Sequence, residues 1–471
     1  MKKFRLPIGL LIALALTAIL PGLAGCGSAR PRVAYAAMPM IVDTDMSSDD
    51  IMALTYLLER ADVSLRAITV EGTGVADGRA GALNALRLIR ALGIRRHVPV
   101  AFGQAQPLAG RAAFPRAWRD AADRMYGLNI PKWTGAAPRA TAVRLLSATL
   151  GRASRPTALV TIGPLTDVAL ALRASPRIAG KISRIYALAG AIGVPGNEPT
   201  YQRAEWNAYI DPRATSIVLK SGIPVTVIPL DASNDVPITT FVADAVRSHR
   251  QTAAMRLVAG LLSGPSYTQN PAYFWDPLTA VAATDSRVVH LRPERLKVAQ
   301  VPGPGWGETS IDQAGSPVML AMSANAAAFT RDFLTALNHG QAITIASLPA
   351  SRRITISFDG ASYAYHAPRS IAPGQISVRL ANGSTTVTGG FHLIVGRLRA
   401  GRTLTDVTAV IRRGHGHVTT APKWFQIVSV LPAPPEAKAT WGIALRPGRY
   451  ALVSELDATS ALRALTEIRV G

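Results

Sequence analysis

Six short runs of almost unbroken apolar residues punctuate the first half of the chain, at 40–42, 65–70, 98–101, 157–162, 182–188 and 225–228. Segments with helical spacing, such as 76–92 and 165–173, lie between them. A strand that is apolar along its whole length must be covered on both faces. A mostly parallel sheet flanked by helices provides that cover. Residues 39–340 are therefore expected to be α/β, a mostly parallel sheet with helices on both faces. Ligands of such sheets bind outside the carboxyl ends of the strands.

The first run ends in an unusual place. Met40-Ile-Val-Asp-Thr-Asp-Met-Ser-Ser-Asp-Asp-Ile51 carries Asp43, Asp45, Asp49 and Asp50 at the mouth of a strand. Continued strand alternation would point Asp43 and Asp45 to the same side. Asp49 and Asp50 fall in the first turn of the next helix, where the dipole favours negative charge. Ser47 or Ser48 could cap that helix, and a capped turn is the plainer reading. Four crowded carboxylates repel one another unless something compensates them. A hard cation with oxygen ligands, Ca²⁺ or Mg²⁺, is the natural partner.

The formal net charge is +22, mostly from arginine. No basic run is interleaved with aromatics, so nucleic acid is not an expected partner. Met1-Lys-Lys-Phe-Arg5, the apolar stretch 6–20 and Leu23-Ala-Gly-Cys26 read as a bacterial lipoprotein signal, with 1–25 removed and Cys26 lipidated. Cys26 is the single cysteine of the chain, so an internal disulfide is impossible. Residues 26–38 would be a linker, and the protein an extracytoplasmic one, lipid-anchored to the cell envelope.

The aspartate stretch resembles the Asp-x-Asp-x-x-x-Asp-Asp signature of the inosine-uridine preferring nucleoside hydrolases, with Met46-Ser47 where that family has Pro-Gly. Further stretches support the resemblance in order. Gly163-Pro-Leu-Thr-Asp167 is similar to the family's Gly-x-Leu-Thr-Asn turn, and Asn197 with Glu205-Trp-Asn207 to its ribose-binding residues. Asp276 in Tyr273-Phe-Trp-Asp276 matches a family metal ligand. The resemblance implies Ca²⁺ held by Asp45, Asp50, the Ile162 carbonyl and Asp276. It implies ribose held by Asp49, Asn197, Glu205 and Asn207, and Asp45 as the base that activates water. The family's Asn after the second strand has no obvious counterpart in Val70-Glu-Gly-Thr-Gly74; Thr73 could stand there, or Glu71 could alter the preference.

Trp275 replaces the histidine found before this aspartate in many members, and Trp118 lies in the loop after the third strand. Both resemble the purine-specific branch, in which two tryptophans sandwich the base. Stacking can favour a protonated purine without a side-chain acid. The implied reaction is hydrolysis of the N-glycosidic bond of purine ribonucleosides to base and ribose. Members are usually oligomers, so self-association is implied too.

From 341 to 471 the pattern changes to short alternating strands separated by Gly/Pro turns, which indicates an antiparallel β-sandwich. Its layout resembles a cupredoxin-type domain. Ser454 stands where a copper thiolate would be expected, and His392, His415 and His417 do not replace it, so a copper-free accessory module is expected. Two other functions stay open at this stage. A surface protein could bind nucleosides or sugars without turnover. Less in keeping with Ser47 and Asp49-Asp50, Asp43-Thr-Asp45 could serve an aspartyl-phosphate phosphatase.

Overall fold

The computed structural model describes residues 37–471, apart from 199, 201, 265–266, 268–271, 344–351, 369, 385–390, 414–421, 434–437 and 457–461. Cys26, His415 and His417 lie outside the described residues, as does the lipoprotein leader. Among the described residues no helix is long and apolar enough to cross a membrane.

The expected α/β sheet is present. Its strands are β1 (Met38–Thr44), β2 (Val63–Val70), β3 (Val100–Phe102), β4 (Thr157–Thr161), β5 (Ile182–Leu188), β6 (Val225–Ile228), β7 (Val289–Val298), β8 (Thr309–Ile311) and β9 (Ser316–Ala324). They lie in the order β3-β2-β1-β4-β5-β6-β9-β7-β8. Pairing is parallel from β3 through β9, and only β7 runs antiparallel to β9 and β8. Strand order reverses between β1 and β4, and a crevice opens outside the carboxyl ends at such a point. Asp45 follows β1 there, and Ile162 follows β4.

Apolar side chains fill both faces. Met40 and Val42 join one core with the helices Ser48–Glu59 and Trp275–Thr284, whereas Ile41 joins Leu159 and Ile185 in the core on the other side. The helix Ser48–Glu59 starts with a capping box: Ser47 Oγ accepts the Asp50 N–H and the Asp50 carboxylate accepts the Ser47 N–H. Ser47, not Ser48, is the cap.

The C-terminal strands are β10 (Arg353–Phe358), β11 (Tyr363–His366), β12 (Ser370–Ile371), β13 (Gly374–Asn382), β14 (Phe391–Leu398), β15 (Phe425–Ala433), β16 (Lys438–Leu445), β17 (Gly448–Leu456) and β18 (Leu462–Val470). They form two sheets, β11-β10-β13-β16 and β12-β18-β17-β14-β15. Pairing is mostly antiparallel, but β10–β13 and β12–β18 are parallel. Residues from both sheets close one core, including Ile356, Val378, Leu393 and Leu452. β16 lies against the helix Thr240–Ser248, where a Cβ on Gly442 would come within 2.8 Å of the Phe241 ring. Ser454 is fully buried and pairs with the Tyr365 hydroxyl at 2.6 Å.

Candidate active site

The turn after β1 is built by hydrogen bonds that fix each carboxylate. Thr44 and Asp45 carbonyls accept from the Glu71 and Ala76 N–H groups at 2.8 and 3.0 Å, tying the turn to the segment after β2. Met46 holds φ at 58°, a left-handed conformation that costs a side-chain-bearing residue about 1–2 kcal/mol. Its fully buried side chain anchors it in the core. Asp45 Oδ1 accepts the Ser47 N–H and Oδ2 the Val75 N–H, each at 3.1 Å. Asp50 accepts from Thr44 Oγ1 and from the Asp45 N–H, and Asp49 from Ser47 Oγ. Two glycines let neighbouring segments close in on Asp45: a Cβ on Gly74 or on Gly163 would overlap or crowd its side chain.

The helix Trp275–Thr284 brings Asp276 to the same point. Ligand oxygens of Asp49, Asp50 and Asp276 lie within 4.8 Å of one another. Burial is the main cause that pushes the Asp45 and Asp276 carboxyls well up, with neighbouring carboxylates adding to it. The same causes raise Asp49 to about 6. Asp276 Oδ1 is buried and has no hydrogen-bond partner among the described residues. Repelling carboxylates, an unpartnered oxygen and the Ile162 backbone beside them suit a hard cation with oxygen ligands.

These groups form one end of a cavity of about 520 Å³. Its lining includes Asp45, Asp49, Asp50, Ile162, Asn197, Glu205, Asn207, Trp118, Trp275 and Asp276, which are all the site positions expected from sequence apart from Cys26. Among the described residues, no lysine, arginine or histidine lines it. Glu205 caps the short helix Trp206–Ile210, accepting from the Asn207, Ala208 and Gly190 N–H groups. Burial nevertheless raises its carboxyl to about 7. Asn197 Oδ1 accepts the Trp206 N–H at 2.9 Å, and Asn207 Nδ2 donates to the Leu188 carbonyl at 3.1 Å.

A scan against family models matches residues 40–331 to the family described as inosine-uridine preferring nucleoside hydrolase. The chain belongs to that family. Its 208 residues most like the pyrimidine-specific ribonucleoside hydrolase RihA of Salmonella agona are 35% identical to it, covering 43% of this chain and 63% of that protein. The chain thus spans less than two-thirds of such curated relatives. The crystal structure of the inosine-uridine preferring nucleoside hydrolase of Bacillus anthracis superposes with a TM-score of 0.56 at 27% identity, covering 64% of this chain and 99% of that one. A purine-preferring ribonucleoside hydrolase from Gardnerella vaginalis gives 0.56 at 25% identity, over 64% and 98%.

Several placements differ from the sequence expectation. Asp43 and Asp45 do not share a side, because β1 ends at Thr44 and the turn breaks the alternation. Asp43 instead meets Glu71 and Asp167. Thr73 and Glu71 do not line the cavity; Thr73 Oγ1 contacts Glu71 and Thr166, each at 3.2 Å. Trp118 sits on the helix Arg116–Asp123 rather than in a loop, and is 47% exposed. Trp275 Nε1 donates to Asn234 Oδ1 at 2.9 Å.

Trp206, Phe114, Tyr126 and Tyr267 also line the cavity without having been assigned a role from sequence. Phe114 stacks on Trp206 with ring centroids 4.9 Å apart, and Trp118 lies 5.5 Å from Trp206. Tyr267 pairs with Ser48 Oγ at 2.7 Å. Burial, reinforced by the aspartates, pushes both tyrosine hydroxyls well up, so they remain protonated. A Trp between a matched Glu and Asn was the one available signal. The tyrosines arrive from distant segments and carry no local mark.

Proposed function

We infer that the protein hydrolyses the N-glycosidic bond of ribonucleosides, releasing base and ribose, with calcium as cofactor and purine ribosides preferred. The observation that carries this is the joining, in one cavity, of a four-aspartate end to an aromatic wall. Asp45, Asp50, Asp276 and the Ile162 carbonyl would hold the Ca²⁺. When bound, it supplies Lewis acidity toward water and sugar hydroxyls and compensates the buried carboxylates.

The remaining chemistry falls to the chain's own groups. Asp45 takes the proton of the attacking water; its two oxygens are aimed by the Ser47 and Val75 N–H groups. Asp49, Asn197, Glu205 and Asn207 bind ribose hydroxyls and so place the anomeric carbon before that water. Trp118, Trp206 and Trp275 offer ring faces to the base, and their quadrupoles favour a base that gains positive charge as the bond breaks. With no histidine among the described residues that line the cavity, protonation of the base draws on solvent or on the Tyr126 and Tyr267 hydroxyls.

The relative at 35% identity is named pyrimidine-specific, which supports uridine as the competing substrate. The test is reducing-sugar release from inosine, guanosine, adenosine and uridine, with calcium and with chelator. Calcium-dependent cleavage of the purine ribosides, abolished in Asp45→Ala, is expected. Faster cleavage of uridine would overturn the purine preference alone. Tight inosine binding without ribose release would overturn hydrolysis. Tethering to the cell envelope through a lipid on Cys26 belongs to the same proposal; Cys26→Ser should then leave the membrane fraction. The C-terminal sheets, read as a cupredoxin-like copper-free module, would serve an accessory role, and self-association is expected of the family.

A further inference from the structure

We propose that the protein carries a second divalent-cation site, formed by Asp43, Glu71 and Asp167 behind the nucleoside cavity. Asp43 comes from β1, Glu71 from the segment just after β2, and Asp167 from the first turn of the helix Thr166–Ala174. All three are fully buried, and a ligand oxygen from each lies within 4.8 Å of the others. None of them lines the cavity described above.

The donors around the cluster do not satisfy it. Thr69 Oγ1 donates to Asp43 Oδ1, and the Asp167 N–H donates to Glu71 Oε1 at 2.7 Å. Thr73 Oγ1 reaches Glu71 Oε2 at 3.2 Å. Among the described residues no hydrogen-bond donor reaches Asp43 Oδ2 or either oxygen of Asp167, and the Asp43 and Glu71 carboxyls bear directly on each other. The charged groups that bear on Asp43 and Asp167 are carboxylates, and no cationic side chain is among them. Asp167 is also pressed against backbone, since a Cβ on Gly103 would overlap its carboxylate. Buried carboxylates without donors or counter-charges are costly, and an ion of opposite sign removes that cost.

A ligand set made of carboxylate oxygens suits a hard divalent cation such as Ca²⁺ or Mg²⁺, and calcium is the probe used below. The bound ion would join the carboxyl ends of β1 and β2 to the start of the helix behind β4. Because the Asp43 carbonyl accepts the Ile162 N–H at 2.9 Å, it would also steady the backbone that carries Ile162 and Asp45.

The experiment counts calcium ions bound to the full chain in detergent, by equilibrium dialysis after chelator stripping. Wild type should hold two, Asp276→Asn one, and Glu71→Gln/Asp167→Asn one. A count of one in wild type that falls to none in Asp276→Asn would overturn the proposal and mean that the cluster holds protons. So would a double variant that keeps the wild-type number. If the double variant does not fold, the wild type and Asp276→Asn decide alone. A count that falls only in the double variant supports this site and instead refutes the cation assigned to the nucleoside cavity.

Discussion

Glu205→Gln isolates the energetic cost of placing an acid in the sugar end of the cavity. Glu205 is 3% exposed, and its neighbours of consequence are three backbone N–H groups. Burial outweighs those donors and lifts the carboxyl from its ordinary 4.5 to about 7. That difference corresponds to about 3 kcal/mol. The sign follows from linkage: a raised folded-state value gives stability that is fully present below pH 4.5 and is lost as pH rises through 7. Glutamine does not titrate, and its mismatch with the backbone donors is the same at every pH. Urea unfolding of both proteins from pH 4 to pH 8 should therefore show the wild type losing about 3 kcal/mol relative to the variant. The loss should be centred between the two values. A flat difference would refute the burial argument. A difference that rises with pH would mean that the three N–H donors outweigh desolvation.

Gly74→Ala drives a methyl into the Asp45 side chain, so kcat for ribose release should fall about 100-fold, as a 1 Å misplacement does, with a smaller change in KM. Trp118→Ala removes a ring that is 47% exposed; KM for inosine should rise about tenfold while the thermal midpoint stays put. Trp206→Ala removes a buried, stacked ring and should also cost about 3 kcal/mol or more in denaturant unfolding. Titration with Cu²⁺ should give no intense blue band, because Ser454 is a buried hydroxyl bound to Tyr365 rather than a thiolate.

The strands that could be read from sequence are those that carry runs of apolar residues into the core. β5 and β6 have the predicted limits because apolar runs end where the chain leaves the sheet. β7 escaped notice: it holds Arg292, Pro293, Glu294, Arg295 and Lys297, which suit a strand near the sheet edge and break any apolar pattern. β16 pairs with β13, from which β14 and β15 separate it in sequence, so no local pattern announces that neighbour. The carboxylates of the cavity were legible through spacing within single segments. The Asp43–Glu71–Asp167 cluster was not, because its members meet across two strands and a helix, with 96 positions separating even Glu71 from Asp167. The failed alternation of Asp43 and Asp45 has a local cause, the end of β1 at Thr44.

The left-handed Met46 after that strand has a bearing on how the site behaves without ligand. Truncating a fully buried methionine costs about 2–5 kcal/mol, more than the strain its backbone carries. The core therefore clamps the turn, and the spacing of the aspartates is inherited from side-chain packing beneath them rather than imposed by whatever they hold. An apo protein with such a turn is a mould already cast: chelation should change its charge balance and leave the shape of its mouth unaltered.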